Sequence, residues 1–165
     1  MALLNIVSYP ASVLAEVGER VEHFDESLAR LASDMFETMY AAHGVGLAAP
    51  QVGLSLQFFV MDCEGVKIVA ANPTVLSTEG VQKGDEACLS LASIGAPLSR
   101  PERVRLRAQN LSGEWFEIEG RGLVARCLLH ETEHCNGTLF VDHLSPLRRD
   151  MVRRKARKVL KRERG

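Results

Sequence analysis

The sequence predicts an α+β fold, with antiparallel strands packed around a central helix and a further helix at the C-terminus. Three observations predict it. Apolar residues recur at helical spacing after Asp25, runs of β-branched and aromatic residues separated by Gly-bearing turns fill the middle of the chain, and helical spacing returns from Gly122 onward.

Asp25 is a suitable N-cap for a helix whose apolar positions are Leu28, Leu31, Met35, Met39 and Ala42, and Gly44 is placed to end it. Strands are expected over 56–61, 66–71, 104–108 and 115–118. Glu64-Gly65 and Ser112-Gly113 supply the turn chemistry of two hairpins between them. Asn72-Pro73, residues 86–90 and residues 93–101 read as loops. From Gly122 to Asn136 a helix sets Leu123, Cys127, His130 and His134 on one side, with Gly137 as its C-cap. After Pro146 a last helix turns Met151, Val152, Ala156, Val159 and Leu160 toward the body and its basic residues outward.

A chain of 165 residues that is 46% hydrophobic and 25% charged suits one globular domain over 1–165 and excludes disordered and fibrous classes. The N-terminal run carries no basic residue and is broken by Asn5 and Pro10, unlike a secretory signal. No stretch approaches the roughly 18 apolar residues of a membrane span. A cytoplasmic protein without membrane contact is expected, and its four irregularly spaced cysteines then read as thiols or a metal ligand rather than disulfides. Between Arg148 and Gly165 ten Lys and Arg face two acids, a local charge of +8 that leaves −9 on the first 147 residues. Such a tail is either the solvated face of an amphipathic helix or a contact for an acidic partner such as nucleic acid.

His130-Glu-Thr-Glu-His134 fits H-E-x-x-H. Residues four apart lie roughly 40° apart around a helix, so both imidazoles can reach one ion. A catalytic site wants a third protein ligand. Cys127 shares the helix, but three ligands on one short helix wrap poorly around an ion. Cys88, in Glu86-Ala-Cys-Leu-Ser90, offers the ligand from a separate segment and is preferred. Glu131, beside the histidine face, can take a proton from water and return it to a leaving amine. His23, His43 and His143 lack such an arrangement and read as surface or locally bonded, while Cys63 and Cys135 read as packing.

From Ile6 to Pro146 the sequence resembles a peptide deformylase, on three motifs in order: Gly44-Val-Gly-Leu-Ala-Ala-Pro-Gln51, Glu86-Ala-Cys-Leu-Ser90 and the H-E-x-x-H. The resemblance implies hydrolysis of the N-formyl group from N-formyl-methionyl nascent peptides, with release of formate. It implies Cys88, His130 and His134 as ligands of one divalent metal, Fe2+ in the cell with Zn2+ or Ni2+ as substitutes, and Glu131 as general acid and base. Gln51 and the Leu89 backbone N–H would donate to the formyl oxygen as it becomes an oxyanion. Gly44, Val45 and Gly46 would line the peptide cleft, Leu123, Arg126 and Cys127 the pocket for the first side chain, and Glu86 with Arg100 would form a supporting pair. The basic C-terminal helix, 148–165, would contact the ribosome.

This sequence departs from the family pattern at Ala87, Ala92, Glu133 and Cys135, where Gly, Pro, Asp and Leu are usual. The resemblance leads to a contact for Glu133 around the ligands, and to Arg126 lining its pocket by its stem with its head in solvent. Three rivals remain open: another H-E-x-x-H amidase or peptidase, a deformylase-like protein of weak or altered activity, and a silent module that docks on ribosomes.

Overall fold

The computed structural model describes residues 2–164; Met1 and Gly165, the outermost residues of the expected domain and basic helix, lie outside it. Helix α1 (Glu26–Ala41) starts as expected, Asp25 accepting from the Ser27 and Leu28 N–H groups at 3.1 and 3.3 Å. Its end differs: His43, at φ 58°, takes the left-handed position, and the Gly44 N–H donates to Met39 O. A Cβ at Gly44 would lie 2.9 Å from Leu89 Cδ1, so a larger residue there would push that side chain aside.

Strands β1 (Gly46–Ala48), β2 (Phe58–Cys63) and β3 (Val66–Glu79) follow, then the short β4 (Asp85–Ala87) and β5 (Gly95–Pro97), then β6 (Arg103–Gln109) and β7 (Trp115–Arg121). Five of them form an antiparallel sheet in the order β1-β2-β3-β6-β7, and both expected hairpins are present. Glu64 and Gly65 turn the first with φ values of 52° and 80°. Leu56, expected inside the first strand, lies before it in a parallel bridge to Glu19.

Asn72-Pro73 is not a loop but a register shift inside β3. Asn72 sits at φ 51°, and its amide does what a strand partner would: Oδ1 accepts the Val21 N–H, while Nδ2 donates to Val21 O and to Gln109 Oε1 at 2.6 Å. Pro73, which has no N–H to offer a ladder, is tolerated at such an irregularity. The expected loops at 86–90 and 93–101 hold β4 and β5, which pair antiparallel with Glu86 opposite Ala96. Three residues are too few to show a period of two.

Helix α2 (Leu123–Cys135) crosses one face of the sheet, packing Val124, Cys127 and Leu128 against Phe59, Met61 and Leu106. The alternate residues of β2, Phe58 and Val60, face the other way onto Met35 and Met39 of α1. Helix α3 (Pro146–Arg164) closes a third cluster, with Val152 and Ala156 against Leu91 and Phe140. Met151 is 48% exposed rather than inward, since the neighbouring Val152, about 100° around the helix, is the one that faces the body. Among the described residues no helix is long and apolar enough to cross a membrane.

Replacing Asn72 by Ala strands buried groups of Val21 and Gln109, and urea unfolding should show a loss of about 3 kcal/mol. A loss below about 1 kcal/mol would mean that the amide does not hold the shift in register.

Candidate metal centre

Helix α2 carries His130 and His134 on its buried face, with ring centroids 4.8 Å apart and Nε2 atoms 3.2 Å apart. Cys88 comes from the segment after β4, its Sγ 3.3 Å from His134 Nε2. The three ligand-type atoms lie within 4.8 Å of one another, and all three residues are buried. Cys127, the alternative on the same helix, is not among them: its Sγ approaches Val45 O at 3.8 Å, and the Cys63 thiol lies against it. Donor atoms held around one ion at about 2.0–2.3 Å sit roughly 3.3–3.7 Å apart, close to the spacings seen. Two imidazole nitrogens and a cysteine sulfur converge on one point, and each offers a lone pair to a cation once any proton on it has left, so the donor set fits a bound metal.

Glu86 supports this cluster from β4. Its carboxylate accepts from Arg100 Nε and Nη2 at 2.9 and 2.6 Å, from Arg126 Nη1 at 2.9 Å and from His130 Nδ1 at 2.7 Å. The last bond leaves His130 Nε2 directed at Cys88 and His134. Burial would raise the Glu86 pKa, but Arg100 and His130 hold it down at about 2. Burial would likewise keep His130 neutral, yet Cys88 and Glu86 raise its pKa well above the usual value. Burial and the neighbouring His130 hold His134 well below it. Arg100 also donates to both oxygens of Glu133, at 2.8 and 2.9 Å, and Glu133 accepts from His143 Nε2 at 2.8 Å.

One expectation is overturned. Arg126 does not send its head into solvent; it is 5% exposed and ends on Glu86, because the carboxylate offers an oxygen that Arg100 alone does not saturate. His143, expected to be surface or locally bonded, is both: it is 41% exposed and meets Glu133, which joins it to the cluster.

A cleft of about 330 Å³ opens beside the cluster. It is lined by Gly44, Val45 and Gly46 on one side, Gln51 and Leu89 deeper in, and Leu123, Arg126 and Cys127 along α2, so every expected cleft residue reaches it. Gln51 Oε1 accepts the Ala48 N–H at 3.0 Å, which turns Nε2 toward Cys88 Sγ, 3.6 Å away, and Ser90 Oγ, 3.3 Å away. Leu123 stands at the rim, 47% exposed. Ala87 is exposed on β4 and lines the cleft beside Cys88. Ala92 takes φ 55°, a value closed to the Pro usual there.

Glu131 is buried against β1, and a Cβ on Gly46 would fall 2.5 Å from its Oε2. Glu131 Oε1 has no hydrogen-bond partner among the described residues. Burial pushes the carboxyl up to about 7, from an ordinary 4.5. Such a group can both accept and release a proton near neutral pH.

This burial also costs stability. In metal-free protein, Glu131 is protonated in folded and unfolded states below pH 4.5, and as pH rises toward 7 only the unfolded state ionises, so stability falls. Metal-free Glu131→Gln should therefore exceed metal-free wild type by about 2–3 kcal/mol at pH 8 and match it at pH 4, read by urea unfolding. Equal stability at both pH values would refute the raised pKa.

The polypeptide deformylase family model matches residues 3–150. A peptide deformylase of Acidobacterium capsulatum is 46% identical over 164 residues, 96% of either chain. One of Acinetobacter baumannii is 48% identical over 98% of this chain and 94% of its own. Among solved structures, a peptide deformylase from Legionella pneumophila superposes with a TM-score of 0.94 at 46% identity, covering 98% of this chain and 97% of the other. The one from Ehrlichia chaffeensis in complex with actinonin gives 0.89 at 36% identity, over 96% and 98%. On a match that spans most of its length, in sequence and in fold, the chain belongs to the polypeptide deformylase family.

Proposed function

We propose that this chain hydrolyses the N-formyl group of nascent peptides that begin with formyl-methionine, using Cys88, His130 and His134 to hold one divalent metal and Glu131 to move the protons. The observation that carries the reading is the convergence of those three donor atoms next to a buried carboxylate with a free oxygen. A bound metal supplies Lewis acidity, which acidifies water and polarises a carbonyl. A thiolate with two imidazoles accepts Fe2+, Zn2+ or Ni2+, and Fe2+ is proposed as the native ion from the family resemblance.

Glu131 takes the proton of the attacking water as its oxygen bonds to the formyl carbon. Gln51 Nε2 and the Leu89 N–H donate to the formyl oxygen as charge builds on it; a donor so placed is worth about 3 kcal/mol of barrier. Glu131 then delivers its proton to the nitrogen as the C–N bond breaks, leaving formate and a free N-terminal methionine. Gly44, Val45 and Gly46 bring a backbone wall close to the peptide, and Leu123, Arg126 and Cys127 receive its first side chain. The cytoplasm, where nascent chains emerge, is the compartment that this reading assigns.

Formate release from formyl-Met peptides, together with metal analysis, tests the assignment. Cys88→Ala should lose metal and activity, Cys127→Ala should keep the metal, and Glu131→Ala should keep the metal while kcat falls about 10³-fold. Metal retained by Cys88→Ala but lost by Cys127→Ala would overturn the ligand set.

We further propose that the basic face of α3 contacts ribosomal RNA. Val152 and Ala156 are buried, so truncating the helix would damage the body as well. Exposed Arg154, Lys155, Lys158 and Lys161 are the better targets. Changing all four to Glu should weaken ribosome binding and flatten its salt dependence while turnover of short peptides persists. Unchanged ribosome affinity would leave the face as simply solvated.

A further inference from the structure

Arg126 is a cation in the wall of the cleft, close to where the first side chain of a peptide would be received. Of its guanidinium, Nη1 is bonded to Glu86 Oε1, whereas Nη2 has no hydrogen-bond partner among the described residues and is shielded from water. Glu86 does not depend on it, being bonded also to Arg100 and His130. Nη2 lies beside Gly84, where a Cβ would stand 3.4 Å away, next to Asp85 of the cleft wall, and the guanidinium ends a long flexible stem.

A buried donor without a partner is unfavourable, and a ligand acceptor that meets it recovers that loss. The thioether of methionine is a weak acceptor and leaves the donor unmatched. Oxidation to the sulfoxide places a strongly polar oxygen on the same atom. A wholly apolar pocket rejects such an oxygen, because it would lose its hydration and gain no bond.

Resting on the deformylase reading, we propose that Arg126 widens the substrate class to peptides whose formylated first residue is methionine sulfoxide, by donating from its guanidinium to the sulfoxide oxygen. Cys127 and the rim residue Leu123 still present apolar surface to the rest of the side chain. The same pocket then serves both oxidation states of the initiating residue.

The test compares kcat/KM for formyl-Met-Ala-Ser and formyl-Met-sulfoxide-Ala-Ser in the metal-loaded wild type, Arg126→Leu and Arg126→Lys. Taking the ratio within each protein cancels changes in the shared chemistry. Wild type should treat the two within about threefold, and Arg126→Leu should lower the sulfoxide-to-thioether ratio about tenfold, with Arg126→Lys between. A wild type that disfavours the sulfoxide by about tenfold or more overturns the proposal even if no variant folds. So does an unchanged ratio in Arg126→Leu. Calorimetric binding of the unformylated Met and Met-sulfoxide peptides reads the same ratio without turnover. If wild type cleaves neither formyl peptide, the deformylase reading fails, and the binding ratio still decides the role of Arg126.

Discussion

Four N–H donors from two layers of the fold converge on the Glu86 carboxylate: two from Arg100, one from Arg126 and one from His130. Removing a carboxylate from water costs several kcal/mol, and this one is 5% exposed. These donors together offset the cost, and the bonds from Arg100 and His130 tie β4, the strand-like segment around Arg100 and helix α2 into one unit. Cys88 lies two residues beyond Glu86, and His130 is bonded to it directly. The distance between the sulfur and the imidazoles is thus set by the same ion-pair cluster that joins the layers.

On the opposite side of the cluster the constraint is steric. Glu131 occupies the space above Gly46, and that glycine belongs to the edge strand β1, held to β2 by pairing with Met61. The side chain is pinned between α2 and β1 with one oxygen unsatisfied and its proton affinity raised by burial. The cleft therefore has one wall built for charge neutralisation and another that leaves a carboxylate under-solvated. The first wall orders the ligand-type atoms, and the second prepares a proton acceptor.

What the sequence made legible follows from how local each signal was. The α2 helix, the placing of both histidines on its face and the two hairpins rest on periodicity or turn chemistry within a few residues, and they appear as expected. Cys88 was reached by a geometric argument against Cys127, and the structure brings Cys88 to the histidines. Features that depend on partners far along the chain stayed hidden. Asn72 substitutes for strand pairing by bonding to Val21, 51 residues away. The head of Arg126 finds Glu86 across 40 residues, and β4 finds β5 by contacts too short to leave a pattern. Met151 and Val152 are both apolar, and only the docking angle of α3 decides which is buried.

The departures from the family pattern are accommodated by the same logic. Glu133 is one methylene longer than the usual Asp, and its two oxygens meet both Nη atoms of Arg100 while one of them also meets His143. The longer side chain thus extends the cluster toward the surface without shortening its grip on Glu86. Ala92 occupies a left-handed position that proline cannot adopt, so the segment after Leu91 follows a different path from a Pro-bearing one. Cys88 O accepts the Leu91 and Ser93 N–H groups on either side of Ala92, so the turn is tied at both ends to the ligand residue. The turn that carries Ala92 therefore joins Cys88 to Ser93, and both of these residues line the cleft.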